Sequence, residues 1–296
     1  MGSLDLSGFR YLTRASFWVH LWKELNKDHC WGMAAELAYY FLLGFFPFLI
    51  FLSDVITFSQ IEPGLLAKIL NELSRFLPEM TQDEIVEIVQ RARQKPGSAW
   101  VLSWMLVALW WASLGLNGTI SVLNRAYRAV EHRSFLSLQA LAVVVTVGVS
   151  IFIILSGFLL FFGDDLNRFV AAQLEFEPNS WGAPIWSFGY SSLRWILILT
   201  FFNIGIQIMY YALPARRLPW RFVSPGSAFA SLGWFFGSVT FSIFVNQNPA
   251  YGRLYGSLKG LIVLMIWFYL SSLFLLVGGT MDSEIYLLRE EAESEE

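Results

Sequence analysis

Residues 31–58 read WGMAAELAYYFLLGFFPFLIFLSDVITF, and this stretch decides the fold class. It exceeds the about 20 mostly apolar residues that carry an α-helix across a bilayer. It also holds groups that a lipid-facing helix excludes: Glu36 near its start, Pro47 in its middle and Asp54 near its far end. At helical spacing Glu36, Tyr39, Tyr40, Leu43 and Pro47 fall on one stripe. A carboxylate sharing a stripe with two tyrosines and a kink is expected to face protein or water.

Composition points the same way along the whole chain. Of 296 residues 56% are hydrophobic and 15% charged, where soluble domains run near about 45–50% and about 25%. The expected fold class is therefore an all-α polytopic membrane protein forming one membrane domain. A net charge of −3 lacks the basic surface that nucleic acid demands. The single Cys30 cannot form an internal disulfide and reads as a small buried apolar residue. Residues 1–14, MGSLDLSGFRYLTR, show no apolar core with a cleavage site, so no signal peptide is expected. Leu6 stands where an N-myristoylation motif requires Ser or Thr.

Working outward, residues 17–29 put Phe17, Trp18, Leu21, Trp22 and Leu25 on one face and Lys23, Glu24, Lys27 and Asp28 on another. This predicts an amphipathic helix lying in the membrane interface. After the first span, residues 59–98 regain charges of both signs. Leu65, Ile69, Leu73 and Phe76 share one side of a short helix, and Thr81 with Glu84 fits a capping box that opens a second. These make a helical hairpin outside the bilayer, a lid or an ordered loop. Further spans are expected at about 99–123, 138–162, 193–213, 222–246 and 261–281, making six in all. The fifth carries Gly226, Ser227, Ala228, Ala230, Ser231 and Gly233, small residues that let a partner helix approach closely. The acidic tail, residues 285–296, is expected to fray.

Basic residues choose the orientation. Arg125, Arg128 and Arg133 follow the second span, and Arg216, Arg217 and Arg221 follow the fourth. Arg10, Arg14, Lys23 and Lys27 precede the first. The positive-inside rule predicts that these loops and both termini lie on the cytoplasmic side.

The motifs of common enzyme chemistries are missing. His20, His29 and His132 lack Cys or carboxylate partners at ligand spacing. No phosphate-cradling loop with Lys and Ser/Thr occurs, and no G-x-S-x-G elbow. No cofactor and no enzymatic activity are expected. What remains is a set of polar residues at membrane depth, where a charge costs at least about 2.5–3.5 kcal/mol. Glu36 lies about 7–8 Å inside the first span at 1.5 Å per residue. Arg125, Arg128, Arg216 and Arg217 form a basic cytoplasmic collar within its reach. Its role is either a helix-anchoring ion pair or a cargo or proton site. Asn117, Asn203 and Gln207 either bond neighbouring helices or line a cavity with Glu36, Tyr39 and Tyr40.

Several runs resemble the YihY/BrkB family of bacterial inner-membrane proteins. They are A-A-E-L-A-Y-Y with F-P in the first span, N-R-A-Y-R after the second, L-P-A-R-R-L-P-W-R after the fourth, and Y-G-S-L-K-G through L-L-V-G-G at the sixth. The resemblance covers about residues 17–282 and implies six spans with both ends cytoplasmic. Members commonly close the last span with Gly-Ala-Glu. Here Gly279-Thr280 stands instead, with Asp282 and Glu284 beyond, and Glu36 is a stand-in for the missing acid. An older family label as a tRNA-processing ribonuclease finds no counterpart in these residues. Associations with serum resistance and envelope-lipid export imply a transporter of lipid-like or amphiphilic anionic cargo, without its own ATPase. The alternative is a scaffold or envelope-assembly partner acting through hairpin 64–94. Membrane lipids are the expected partners, no nucleic acid is, and a homo-oligomer is left open.

Overall fold

The computed structural model describes residues 6–58, 99–152, 155, 183–216, 219–247 and 258–294. The hairpin expected within 59–98 and the outer part of the expected third span lie outside them. A 3₁₀ segment at Leu6–Thr13 is followed by helices α1 (Ala15–Lys27), α2 (Cys30–Phe58) and α3 (Ala99–Ala126). Then come α4 (Phe135–Phe152), α5 (Ala183–Ala212), α6 (Pro225–Gln247) and α7 (Lys259–Ser294). Among the described residues there is no strand. Helices α2 to α7 each contain a stretch long and apolar enough to cross a bilayer, six in all.

Small residues decide how closely the helices approach. Among the described elements compared, α2 and α3 share the most extensive contact. A Cβ on Gly44 of α2 would meet the Ala112 carbonyl oxygen at 3.0 Å, and one on Gly118 of α3 would collide with the Tyr40 ring. α6 meets α7 in the same way. The Phe274 ring lies over Gly233 and Gly237, one turn apart, 2.5 Å from where each Cβ would be. Gly226 faces the Gly278 carbonyl, leaving no room for a side chain. The partner invited by the small-residue run of the fifth span is thus α7. Packing of this kind replaces the hydrophobic drive that lipid does not supply.

Two helix ends use unusual residues. α1 and α2 are separated at His29, which takes a left-handed φ of 52°. α3 closes in a Schellman motif: the Arg128 N–H donates to the Arg125 carbonyl at 3.0 Å and the Ala129 N–H to the Asn124 carbonyl at 2.8 Å. Its left-handed position, with φ 49°, is filled by Arg128 rather than glycine.

Burial redraws the first span. The core face of α2 is Met33, Ala34, Leu37 and Ala38, with Cys30 buried at its start as expected. Tyr39 is 53% exposed and Leu43 44%, so that stripe points partly out of the bundle. The buried side is displaced by a residue because α3 and α7 both press on α2. The sixth helix also departs from expectation. It continues past Met281 to Ser294, with Asp282, Ser283, Glu284 and Ile285 buried against the other elements and its last turn exposed.

Candidate functional site

A cluster of buried polar groups lies where α6 begins. Ser224 is its N-cap and Pro225 its first helical residue, a position that tolerates the missing N–H. The Ser227 N–H donates to Ser224 Oγ at 3.0 Å, and the Ser224 N–H donates back to Ser227 Oγ at 3.0 Å. This reciprocal pairing is a capping box with serine at both places. The next N–H, of Gly226, donates to Asp282 Oδ1 of α7 at 2.8 Å. The Ser224 hydroxyl donates to Asp282 Oδ2. A carboxylate from another helix thus completes the cap, where the positive end of the helix dipole favours negative charge.

Polar bonding continues inward from this cap. Asn203 Nδ2 of α5 donates to Ser227 Oγ at 3.2 Å and Ser231 Oγ at 3.0 Å, all of them buried. One turn along α5, Gln207 is 5% exposed and its Oε1 has no hydrogen-bond partner among the described residues. Gln207 lines a cavity of about 30 Å³ with Asp282, Ser224, Arg221 and Arg289. That volume holds about two water molecules. Pro219, Ile285 and Tyr286 complete the wall. The α7 contribution, Asp282, Ile285, Tyr286 and Arg289, follows helical i, i+3, i+4, i+7 spacing. The 3₁₀ segment closes over this region. A Cβ on Gly8 would stand 3.0 Å from Pro225 and 3.3 Å from a guanidinium nitrogen of both Arg221 and Arg289.

A second, charged layer ties the same end together. Arg128 is ion-paired with Glu24 of α1, and reaches Glu284 Oε1 of α7 at 3.1 Å. His20 Nε2 lies 3.0 Å from Glu284 Oε2. Asn124 joins two loops: its Nδ2 donates to Glu131 Oε2 at 2.7 Å, and its Oδ1 accepts the Ala215 N–H at 2.7 Å. Arg133 donates to Glu131 through Nε at 2.8 Å and to the Leu213 carbonyl at 2.7 Å. The N-R-A-Y-R and L-P-A-R-R runs therefore meet in one network. Hydrogen bonds from Arg133, aided by Asn124, outweigh burial and hold the Glu131 carboxyl down at about 2.

The structure distributes the expected site residues among separate places. Glu36 pairs with Arg125, one of the four arginines in its predicted reach. Tyr40 covers Gly118, and Tyr39 points outward. Asn117 donates to Gln139 Oε1 at 2.6 Å, and Gln139 donates to Ser113 Oγ at 2.6 Å, joining α3 to α4. Of the six residues expected around a cavity, Gln207 lines the one described here, and Asn203 adjoins it through Ser227. In the collar, Arg125 and Arg128 are paired as above, and Arg216 donates to Glu290 Oε2 at 2.9 Å. Arg217 lies outside the described residues. Asp282 and Arg289 were not among the expected site residues, because ending the sixth span at Met281 hides the face they share. Reading 281–291 as continued helix exposes it. Among the described residues no group of three His, Cys, Asp or Glu is placed to hold a metal ion.

These features define a multi-pass membrane protein with six spans and a polar site at one end of the bundle. The chain matches the virulence factor BrkB family across residues 21–296, and it belongs to that family. It is 32% identical to the ribonuclease-like protein YfkH of Bacillus subtilis (strain 168), covering 92% of this chain and 95% of YfkH. It is 24% identical to a UPF0761 membrane protein of Pseudoalteromonas atlantica, covering 96% of this chain and 91% of that one. No solved structure matches it.

Proposed function

We propose that this protein moves an anionic amphiphile across a bacterial inner membrane, with the cavity at the start of α6 receiving the headgroup from the cytoplasmic side. One observation carries the reading: the buried Gln207 amide oxygen lacks a partner among the described residues, in a cavity that Arg221 and Arg289 also line. An unpaired buried polar atom costs about 1–3 kcal/mol, which water or a ligand hydroxyl removes. The two guanidinium groups supply the charge-assisted donors that phosphate oxygens accept. Buried Ser224, Ser227, Ser231 and Ser238 continue the polar lining along α6. They span about 21 Å at 1.5 Å per residue, a hydroxylated track for a headgroup whose acyl chains stay in lipid. The cavity has room for about two waters, so admitting a headgroup requires the Gly8 segment to shift.

The test is headgroup translocation in reconstituted vesicles, comparing fluorescent phosphatidylglycerol with phosphatidylcholine. Wild type is expected to move the anionic lipid faster. The Arg221→Gln/Arg289→Gln double variant is expected to slow it by about tenfold or more, the equivalent of losing one charge-assisted bond. Glu36→Gln, outside the cavity, is expected to leave the rate unchanged. Equal rates for wild type and the double variant, or no translocation by either, refute the reading.

A further inference from the structure

Asp282 is an anion in the wall of a cavity read as an anion site. Its carboxylate already takes the two donors that the α6 N-terminus offers, the Gly226 N–H and the Ser224 hydroxyl. It is 7% exposed, so little water screens it from anything that enters. Two like charges sharing a small site do not both stay ionised; one takes a proton. The groups facing Asp282 are Arg221 from the loop before α6, Arg289 and Tyr286 from its own helix, Tyr127 from the end of α3, and Tyr210 from α5. Glu284, two residues on, is engaged with Arg128 and His20. Arg221 and the two donors at the start of α6 offset the carboxylate. An entering phosphodiester draws on the same arginines and leaves Asp282 the uncompensated charge.

We infer that Asp282 is the proton-coupling group of the site: an anionic headgroup binds between Arg221 and Arg289 as Asp282 takes one proton from solvent. The inference rests on the reading of the cavity as a headgroup site. The exchange balances as one anion and one proton in, with no net change of charge at the site. The protonated carboxyl still accepts the Gly226 N–H through its carbonyl oxygen. Its new O–H becomes a donor in a cavity where the Gln207 amide oxygen lacks one. Release of the headgroup returns the proton, so the transmembrane proton gradient biases which side of the cycle is loaded.

The experiment is calorimetric titration of the full-length protein in nanodiscs with soluble dihexanoyl phosphatidylglycerol. Its phosphodiester does not itself titrate near neutral pH. Running the titration in PIPES and in Tris, which differ in ionisation enthalpy, counts the protons taken up. Wild type is expected to take up about one proton per lipid, with affinity falling about tenfold for each pH unit on the alkaline side, as linkage requires. Asp282→Asn is expected to bind with no proton uptake and no pH dependence over the same range. Wild-type binding without proton uptake, a measurement that needs no variant, overturns the coupling while sparing the headgroup site. Undiminished uptake in Asp282→Asn also overturns it. No binding by wild type overturns the coupling and the headgroup site together.

Discussion

Gly226 shows how a single residue sets a helix crossing. A Cβ there would collide with the Gly278 carbonyl and approach the Asp282 carboxyl carbon to 2.6 Å. Gly226→Ala is expected to cost about 1–3 kcal/mol by overpacking and to lower the detergent melting temperature. Gly148→Ala is the control, because nothing lies within 4 Å of a Cβ there and alanine favours helix by about 0.5–1 kcal/mol. A Gly226→Ala protein that melts with wild type would contradict the close crossing. Glu131 gives a pH-dependent counterpart. Its carboxyl is held near 2, against an ordinary 4.5, chiefly by Arg133. A depressed folded-state value means a stabilising contribution that is complete above about pH 5 and lost as pH falls toward 2. The melting difference between wild type and Glu131→Gln is therefore expected to shrink steadily on acidification through that window. In the sequence Arg133 stands among the basic residues after the second span, and Asn124 opens the N-R-A-Y-R run. That Asn124 also holds the Ala215 N–H was not legible, because the two are brought together only by folding.

At the scale of an element, α1 is the part whose pattern was most readable and whose attachment was least. Phe17, Leu21 and Leu25 are its buried residues, as their i, i+4, i+8 spacing implies. Trp18 and Trp22 remain exposed, on a flank suited to the membrane interface. Besides this buried apolar face, α1 is tied to the bundle by the pairing of Arg128 with Glu24 and Glu284, joined by His20. Arg128→Ala removes the cation shared by both glutamates, one of them only 4% exposed. The loss is expected to be about 1–3 kcal/mol, below that of a fully buried pair since Arg128 itself is 41% exposed. It should appear as faster amide hydrogen exchange confined to residues 15–27. Exchange that stays at the wild-type rate would show that the apolar face alone holds α1. α7 teaches the opposite lesson. Its charged second half reads locally as a tail, yet it runs as helix to Ser294, with Asp282, Ser283, Glu284 and Ile285 buried in the bundle and Glu290, Glu291, Glu293 and Ser294 exposed.

For the whole molecule, we propose that the six spans leave both chain ends on one side, and that this side is the cytoplasm, as the positive-inside rule reads the arginines. Ser294→Cys tests this on a quiet background, since the native Cys30 is 1% exposed. A membrane-impermeant maleimide is expected to label Ser294→Cys only after spheroplasts are permeabilised. Labelling of intact spheroplasts would invert the topology. The sequence by itself determined the class, the number of spans and the helices' apolar character, because the bilayer imposes length and composition on each segment separately. It also marked the family, through short runs whose order survives without any knowledge of contacts. Only the tertiary structure decided which polar residues meet. Glu36 is drawn to Arg125 at an edge of the bundle, whereas Asp282 is carried to the start of a helix more than fifty residues earlier in the chain. The reason is physical. Burying a carboxylate requires donors, and the donors that suit Asp282, a helix N-terminus and a serine hydroxyl, exist only where α6 and α7 cross on glycine.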